Sequence, residues 1–235
     1  MTDAFASAHN RTLLSLLDDV TAHGAQVRTR LRELLARHEY PVDTKSLVLA
    51  AYIDVALEHH EAIWRLIDAK LYGSAFALVR PLFDAMLRGY WINKCATDEQ
   101  IEAAFHDDEF RFPTTDKLFA DIKREYLAPS QPGSSDVAPE QADKFIQMLK
   151  DVWDAGCSYT HSGSLQLSRR FKDGHVKPNY SEGDIAIALR LAITALFLLL
   201  NMFFVSMAQQ KEAREVRTML QQFSTEFGER FRSGQ

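Results

Sequence analysis

The stretch Leu191 to Ala208, LAITALFLLLNMFFVSMA, holds 18 residues without a formal charge. Such a run is either a helix covered on every side by others or a span across a bilayer. Thr194, Asn201 and Ser206 interrupt it, and Arg190 stands at its N-terminal edge. No comparable second segment exists in the sequence, and a long polar helical pattern follows it. These neighbours favour the central helix of a bundle; a membrane anchor over 191–208 is the alternative.

The other segments supply the helices that would cover it. Arg11 to His38 places Leu13, Leu17, Val20, Val27, Leu31 and Leu34 on one side. Asp43 or Thr44 can cap a second helix running to about Lys70, with Val48, Tyr52, Val55, Ile63 and Ile67 inward. Tyr72-Gly73 ends it, and a third helix over Ser74–Trp91 forms a hairpin with it. Thr97 or Asp98 opens a short helix to about Asp108, and Pro113-Thr-Thr-Asp opens another to about Leu127. Prolines, serines and a glycine make 128–140 an exposed loop. A helix then runs from near Pro139 to about Tyr159.

Between Ser164 and Tyr180 the pattern changes. Asp173-Gly174 separates two extended-looking arms, which read as a small β-hairpin or an ordered loop, because Gly tolerates the positive φ of a tight turn. Ser181 or Asp184 starts a final helix, or pair of helices, to about Arg232. The expected fold is all-α: a single helical domain over 1–235 with a small insertion near 164–180.

Composition narrows the setting. Apolar residues at 46% and charged residues at 25% suit a soluble globular protein. A net charge of −5 argues against a whole-surface nucleic-acid binder but leaves room for a local basic patch. Cys95 and Cys157 make no disulfide framework, and MTDAFASAHN has neither basic nor apolar signal features, so a cytoplasmic location is expected.

The third helix is apolar nearly all round, yet it carries Arg80, Asp84 and Arg88. Four-residue spacing sets them in one stripe, flanked by Phe76, Ala77, Leu87 and Trp91. Asp84 could bridge both arginines as a self-contained structural trio. One carboxylate for two guanidiniums still leaves a positive charge over. Asp54 or Glu58 on the preceding helix could neutralise it; so could a phosphate, which suits arginine's bidentate fork. Pro81 removes one helical N–H and leaves the Ala77 carbonyl without its usual donor, so a kink or a break is expected beside Arg80.

A second group is Tyr159 and His161, followed by Arg169, Arg170, Lys172, His175 and Lys177. The last five concentrate positive charge on the expected hairpin, as a solvated basic loop or an anion-binding surface. His161 is either a helix-end histidine favoured by the dipole or a general acid or base. Glu58-His59-His60-Glu61 lacks the spacing of di-iron bundles, and zinc motifs and phosphate-binding glycine loops are missing, so no metal and no cofactor is expected. Nothing in the spacing shows whether His60, His106 and His161 converge.

Four segments, YGSAFALVRPLFDAMLRGYW, KCATDEQIEAAF, YTHSGSLQLSRR and GHVKPNYSEGDIA, resemble an uncharacterised family of bacterial all-helical proteins over roughly residues 45 to 205. The resemblance matches at Arg80, Arg88, Tyr159, His161 and Arg170; the family's typical glutamate is here Asp84. It implies a fold and no established activity. More loosely the chain resembles the HEPN superfamily, helical bundles that include metal-independent ribonucleases with an Arg, four to six residues, then His. Arg32–His38, Arg169–His175 and Arg170–His175 meet that spacing, but about one or two such pairs arise by chance, and the last two cross the Asp-Gly turn.

The expected function is binding of a phosphate-bearing ligand, RNA or nucleotide, where the Arg80 helix meets the Tyr159–Lys177 region. Ribonuclease activity would use His161 as acid/base, with Arg80 and Arg88 on phosphate and Asp84 orienting an arginine. The alternatives are a non-catalytic helical protein that assembles, for instance as a homodimer, and the membrane-anchored protein.

Overall fold

The structure is a computed structural model that describes residues 24–37, 43–128 and 138–233, with side chains of the last helix through residue 225. In chain order its elements are α1 (24–36), α2 (Thr44–Asp68), α3 (Tyr72–Lys94), α4 (Asp98–His106), α5 (Thr115–Leu127), α6 (Pro139–Thr160) and α7 (Ser164–Ser168). Then come β1 (Phe171–Lys172), β2 (His175–Val176), α8 (Glu182–Ser206) and α9 (Gln210–Ser233). The fold is an all-α bundle with a small hairpin.

Side chains that take up first-turn N–H groups set several of the helix starts. Asp43 accepts from the Ser46 N–H at 2.9 Å and opens α2. Thr97 with Gln100, and Ser181 with Asp184, form reciprocal capping boxes at α4 and α8. Asp173 and Gly174 both have positive φ, 53° and 76°, as a tight hairpin turn requires, and they bring Phe171 opposite Val176.

The uncharged run lies in α8, at the centre of the bundle. It packs against α2, α3 and α9, while α6 lies on α3 and α5. Leu189, Ile193, Leu196, Leu200 and Phe203 are fully buried. Among the described residues α8 is the one helix long and apolar enough to cross a membrane, and 67% of its apolar window is buried by the other helices. That burial fits the central-helix reading.

Several local expectations change. α2 ends at Asp68, because Lys70 takes a left-handed turn (φ 58°) and α3 begins at Tyr72; Gly73 therefore lies inside the first turn of α3. Val55 is exposed, on the outward side of α2 with Ala51 and Glu58. The first arm of the insertion is a helical turn, α7, before β1 starts. α3 runs unbroken through Pro81. Most of the 128–140 loop, the N-terminal part of the first helix and His38 lie outside the described residues.

Candidate functional site

α3 and α6 approach closely where α6 has no side chain. A Cβ on Gly156 would sit 3.0 Å from the Arg80 Cβ, so the bare glycine lets the two backbones close up. One turn further on, the Thr160 hydroxyl lies 3.0 Å from the Ala77 carbonyl oxygen and 2.9 Å from the Gly156 carbonyl of its own helix. Ala77 is the acceptor that Pro81 cannot serve. Thr160 brings a hydroxyl from the neighbouring helix, its single proton shared between the Ala77 and Gly156 carbonyls, and α3 continues through Pro81.

The same approach fixes Arg80. Its Nε donates to Asp84 Oδ2 at 3.0 Å, and Trp153 Nε1 donates to Asp84 Oδ1 at 3.0 Å. The guanidinium carbon lies 3.7 Å from the Trp153 ring centre, and Nη1 donates to Cys157 Sγ. Both Asp84 oxygens are thus used, and Arg80 is held by an ion pair, an aromatic face and a sulfur. Burial pushes the Cys157 thiol up, although the Arg80 charge opposes this.

Arg88 is in a different position. Asp84 does not bridge to it, because the carboxylate is turned toward Arg80 and Trp153. The Arg88 side chain is exposed, and its guanidinium carbon lies 4.8 Å from the Phe112 ring centre. It also hydrogen-bonds the Tyr52 hydroxyl, whose burial nonetheless pushes it up to about 12. Among the described residues Arg88 has no carboxylate partner. Asp54 and Glu58 do not neutralise the stripe: they line a separate groove of about 740 Å³ with Arg32 and Arg65.

Arg80, Asp84, Arg88, Phe112 and Trp153 line a cleft of about 60 Å³. Pro113 and Thr115 bring the start of α5 to its edge, where Thr114 forms no side-chain cap. First-turn N–H groups and a guanidinium with no carboxylate partner among the described residues both favour an anion.

The remaining candidates do not join this cleft. Tyr159 packs on Phe76, with ring centres 5.0 Å apart, and lines a second cavity of about 240 Å³ between α3, α6 and α8. Arg169 donates to Asp184 Oδ1 at 2.9 Å, while Asp184 Oδ2 caps α8, so Arg169 ties the hairpin to α8. Arg170 lies against Gly73 beside the Tyr180 hydroxyl, in space that any Cβ at 73 would occupy. His161 is the exposed residue ending α6 and lines neither cavity. The single expected cleft is therefore two, separated by α6. Arg169 and Arg170 precede β1 and His175 lies on β2, so neither pair shares a helix.

His60 is fully buried and accepts a hydrogen bond from Trp64 Nε1 at 3.1 Å, while its Nδ1 has no partner among the described residues. Burial, with Arg28 nearby, lowers its pKa to about 3. His106 faces Glu102 on its own helix. Among the described residues no group of three or more His, Cys, Asp or Glu side chains is gathered as a metal site would need.

The model of a family of unknown function, DUF6988, matches residues 53–229. The chain belongs to this family. The match agrees with the resemblance to an uncharacterised family. No curated protein and no solved structure matches the chain.

The DUF6988 match spans both cavities and also the residues that sequence reasoning missed: Trp153, Cys157 and Thr160 on α6, and Phe112 before α5. Their partners lie 24 to 83 positions away in the chain, beyond any helical period. The available signal was Gly156, a glycine inside an otherwise helical pattern, which marks a close approach.

Proposed function

We propose that this DUF6988 protein binds a phosphate-bearing ligand, RNA or nucleotide, at the cleft between α3, α5 and α6. The observation that carries the reading is Arg88: an exposed guanidinium with no carboxylate partner among the described residues, bonded to the Tyr52 hydroxyl and set over Phe112 in a cleft that also holds Arg80 and the uncapped start of α5. Arg80, held by Asp84 and Trp153, supplies a fixed guanidinium wall whose charge Asp84 offsets, which leaves the net positive charge on Arg88. Arg88, whose only polar contact among the described residues is a neutral hydroxyl, has the fork to form a bidentate pair with phosphate oxygens. The cleft's volume suits a phosphate group, with the rest of the ligand lying outside along Phe112. Binding is the whole of the proposal: His161 lines neither cavity, and Asp84, the carboxylate lining the cleft, has both oxygens bonded to Arg80 and Trp153.

The test is fluorescence anisotropy with labelled single-stranded RNA and labelled ATP. Binding is expected to weaken as salt rises and to fall about tenfold in Arg88→Ala. Absence of binding to both probes, or equal binding by Arg88→Ala, would overturn the proposal.

A further inference from the structure

α6 and α8 both pack on α3, and the space between them is the cavity of about 240 Å³ that Tyr159 lines. Its origin is local. Over this stretch α6 contributes Ala155 and Gly156 and α8 contributes Ala188, residues too short to fill the gap. Phe76 and Tyr159, with ring centres 5.0 Å apart, form an aromatic wall. Ile187 also lines the cavity and exposes 46% of its surface, so the space opens to water along α8. A cavity of about 150 Å³ with apolar walls takes up benzene. The space beside Tyr159 therefore has room for a ring of that size with a short arm.

The charges at this cavity are of one sign. Asp151 and Asp184 line it, and among the described residues no Lys or Arg does. Asp184 is committed: Oδ1 accepts from Arg169 and Oδ2 caps α8. Asp151 is exposed, and its Oδ1 accepts from Gln147 Nε2 at 2.8 Å, a neutral donor on the same helix. No cation pairs with Asp151 among the described residues. A carboxylate beside an aromatic wall attracts a cation twice, through its own charge and through the negative faces of the rings. An anion is repelled by both.

We propose that this cavity binds an organic ammonium, a protonated amine on an apolar body of about the size of a phenyl ring. The body lies between α3, α6 and α8 against Phe76 and Tyr159 and covers Ile187, while the ammonium stays at the mouth with Asp151. The site lies across α6 from the arginine cleft, and its ligand is opposite in charge.

The full chain is titrated calorimetrically at neutral pH with phenethylamine, protonated there as a lysine side chain is, and with phenethyl alcohol and phenylpropionate, which keep the ring and change the charge. The amine is expected to bind, the alcohol to bind about tenfold more weakly, and the carboxylate not to bind. Asp151→Asn should lower amine affinity about tenfold and leave that of the alcohol unchanged, a split that a merely structural Asp151 would not produce. Ala155→Leu fills the cavity and should abolish binding of both. Ala188→Leu does the same from α8 if the first variant perturbs the α3–α6 crossing, and thermal melts identify which of the two keeps the parent's fold. No binding of the amine, equal binding of amine and carboxylate, or equal affinity of parent and Asp151→Asn for the amine overturns the proposal. So does amine binding that survives both filling variants, which would place it on another acidic surface.

Discussion

The Thr160 hydroxyl meets the Ala77 carbonyl at 3.0 Å, and that carbonyl is the one Pro81 leaves without a helical donor. A proline on one helix and a threonine on another, 79 positions later, thus act as one unit. Thr160→Val should cost about 1 kcal/mol in chemical denaturation. In a Pro81→Ala background, where residue 81 regains its N–H, the same change should cost clearly less. Equal costs in the two backgrounds would show the pair to be uncoupled.

Arg80 and Arg88 share a stripe but not a role. Arg80→Ala removes an ion pair, a cation–π contact and packing against α6, so a loss of about 1–3 kcal/mol is expected. Arg88→Ala, at an exposed position, should stay within about 0.5 kcal/mol of the parent. Denaturant midpoints for the two variants check this. A large loss for Arg88→Ala would make that residue structural.

Trp153 gives Asp84 its second hydrogen bond. Trp153→Phe keeps an aromatic surface beneath Arg80 but removes the N–H, at a cost of about 1 kcal/mol. Asp84→Asn should cost more, since it uncouples the Arg80 pair as well. A double-mutant cycle between 84 and 153 should show a coupling of at least about 0.5 kcal/mol.

His60 makes stability depend on pH in a defined direction. Burial lowers its folded pKa from 6.5 to about 3, so the unfolded chain takes up a proton first as pH falls. Stability is therefore full above pH 6.5 and is lost as pH drops from there toward 3. Between about pH 6.5 and 4.5, above the carboxylate range, the loss should approach roughly 1.4 kcal/mol per pH unit at most. Urea unfolding of the parent and of His60→Phe across this window should give a difference that grows on acidification. A constant difference would show that His60 takes up its proton without unfolding the chain.

Much of the fold was legible because its signals are local. Asp43, Thr97 and Ser181 announce helix starts through hydrogen bonds within three residues, and Asp173-Gly174 announces its turn through backbone conformation. The site was legible only as residue types on one face of α3. Which arginine Asp84 pairs with depends on Trp153 and Cys157, placed by the Gly156 crossing, and no spacing rule connects them to Arg80. Val55 shows the same limit: its helical spacing is apolar, but the side it shares with Ala51 and Glu58 faces away from the neighbouring helices.

The position of α8 in the chain sets the order in which this protein can be built. Helices α1 to α6 leave the ribosome before residues 182–206, yet Ile53, Leu82 and Ile92 are fully or almost fully covered in a core whose centre α8 supplies. A nascent chain stopped near residue 180 would carry an α2–α3 hairpin with its inner face open to water, a ready substrate for chaperones. Cooperative folding has to wait for the last quarter of synthesis. Loss of the C-terminal quarter should therefore yield an aggregating chain, not a smaller bundle.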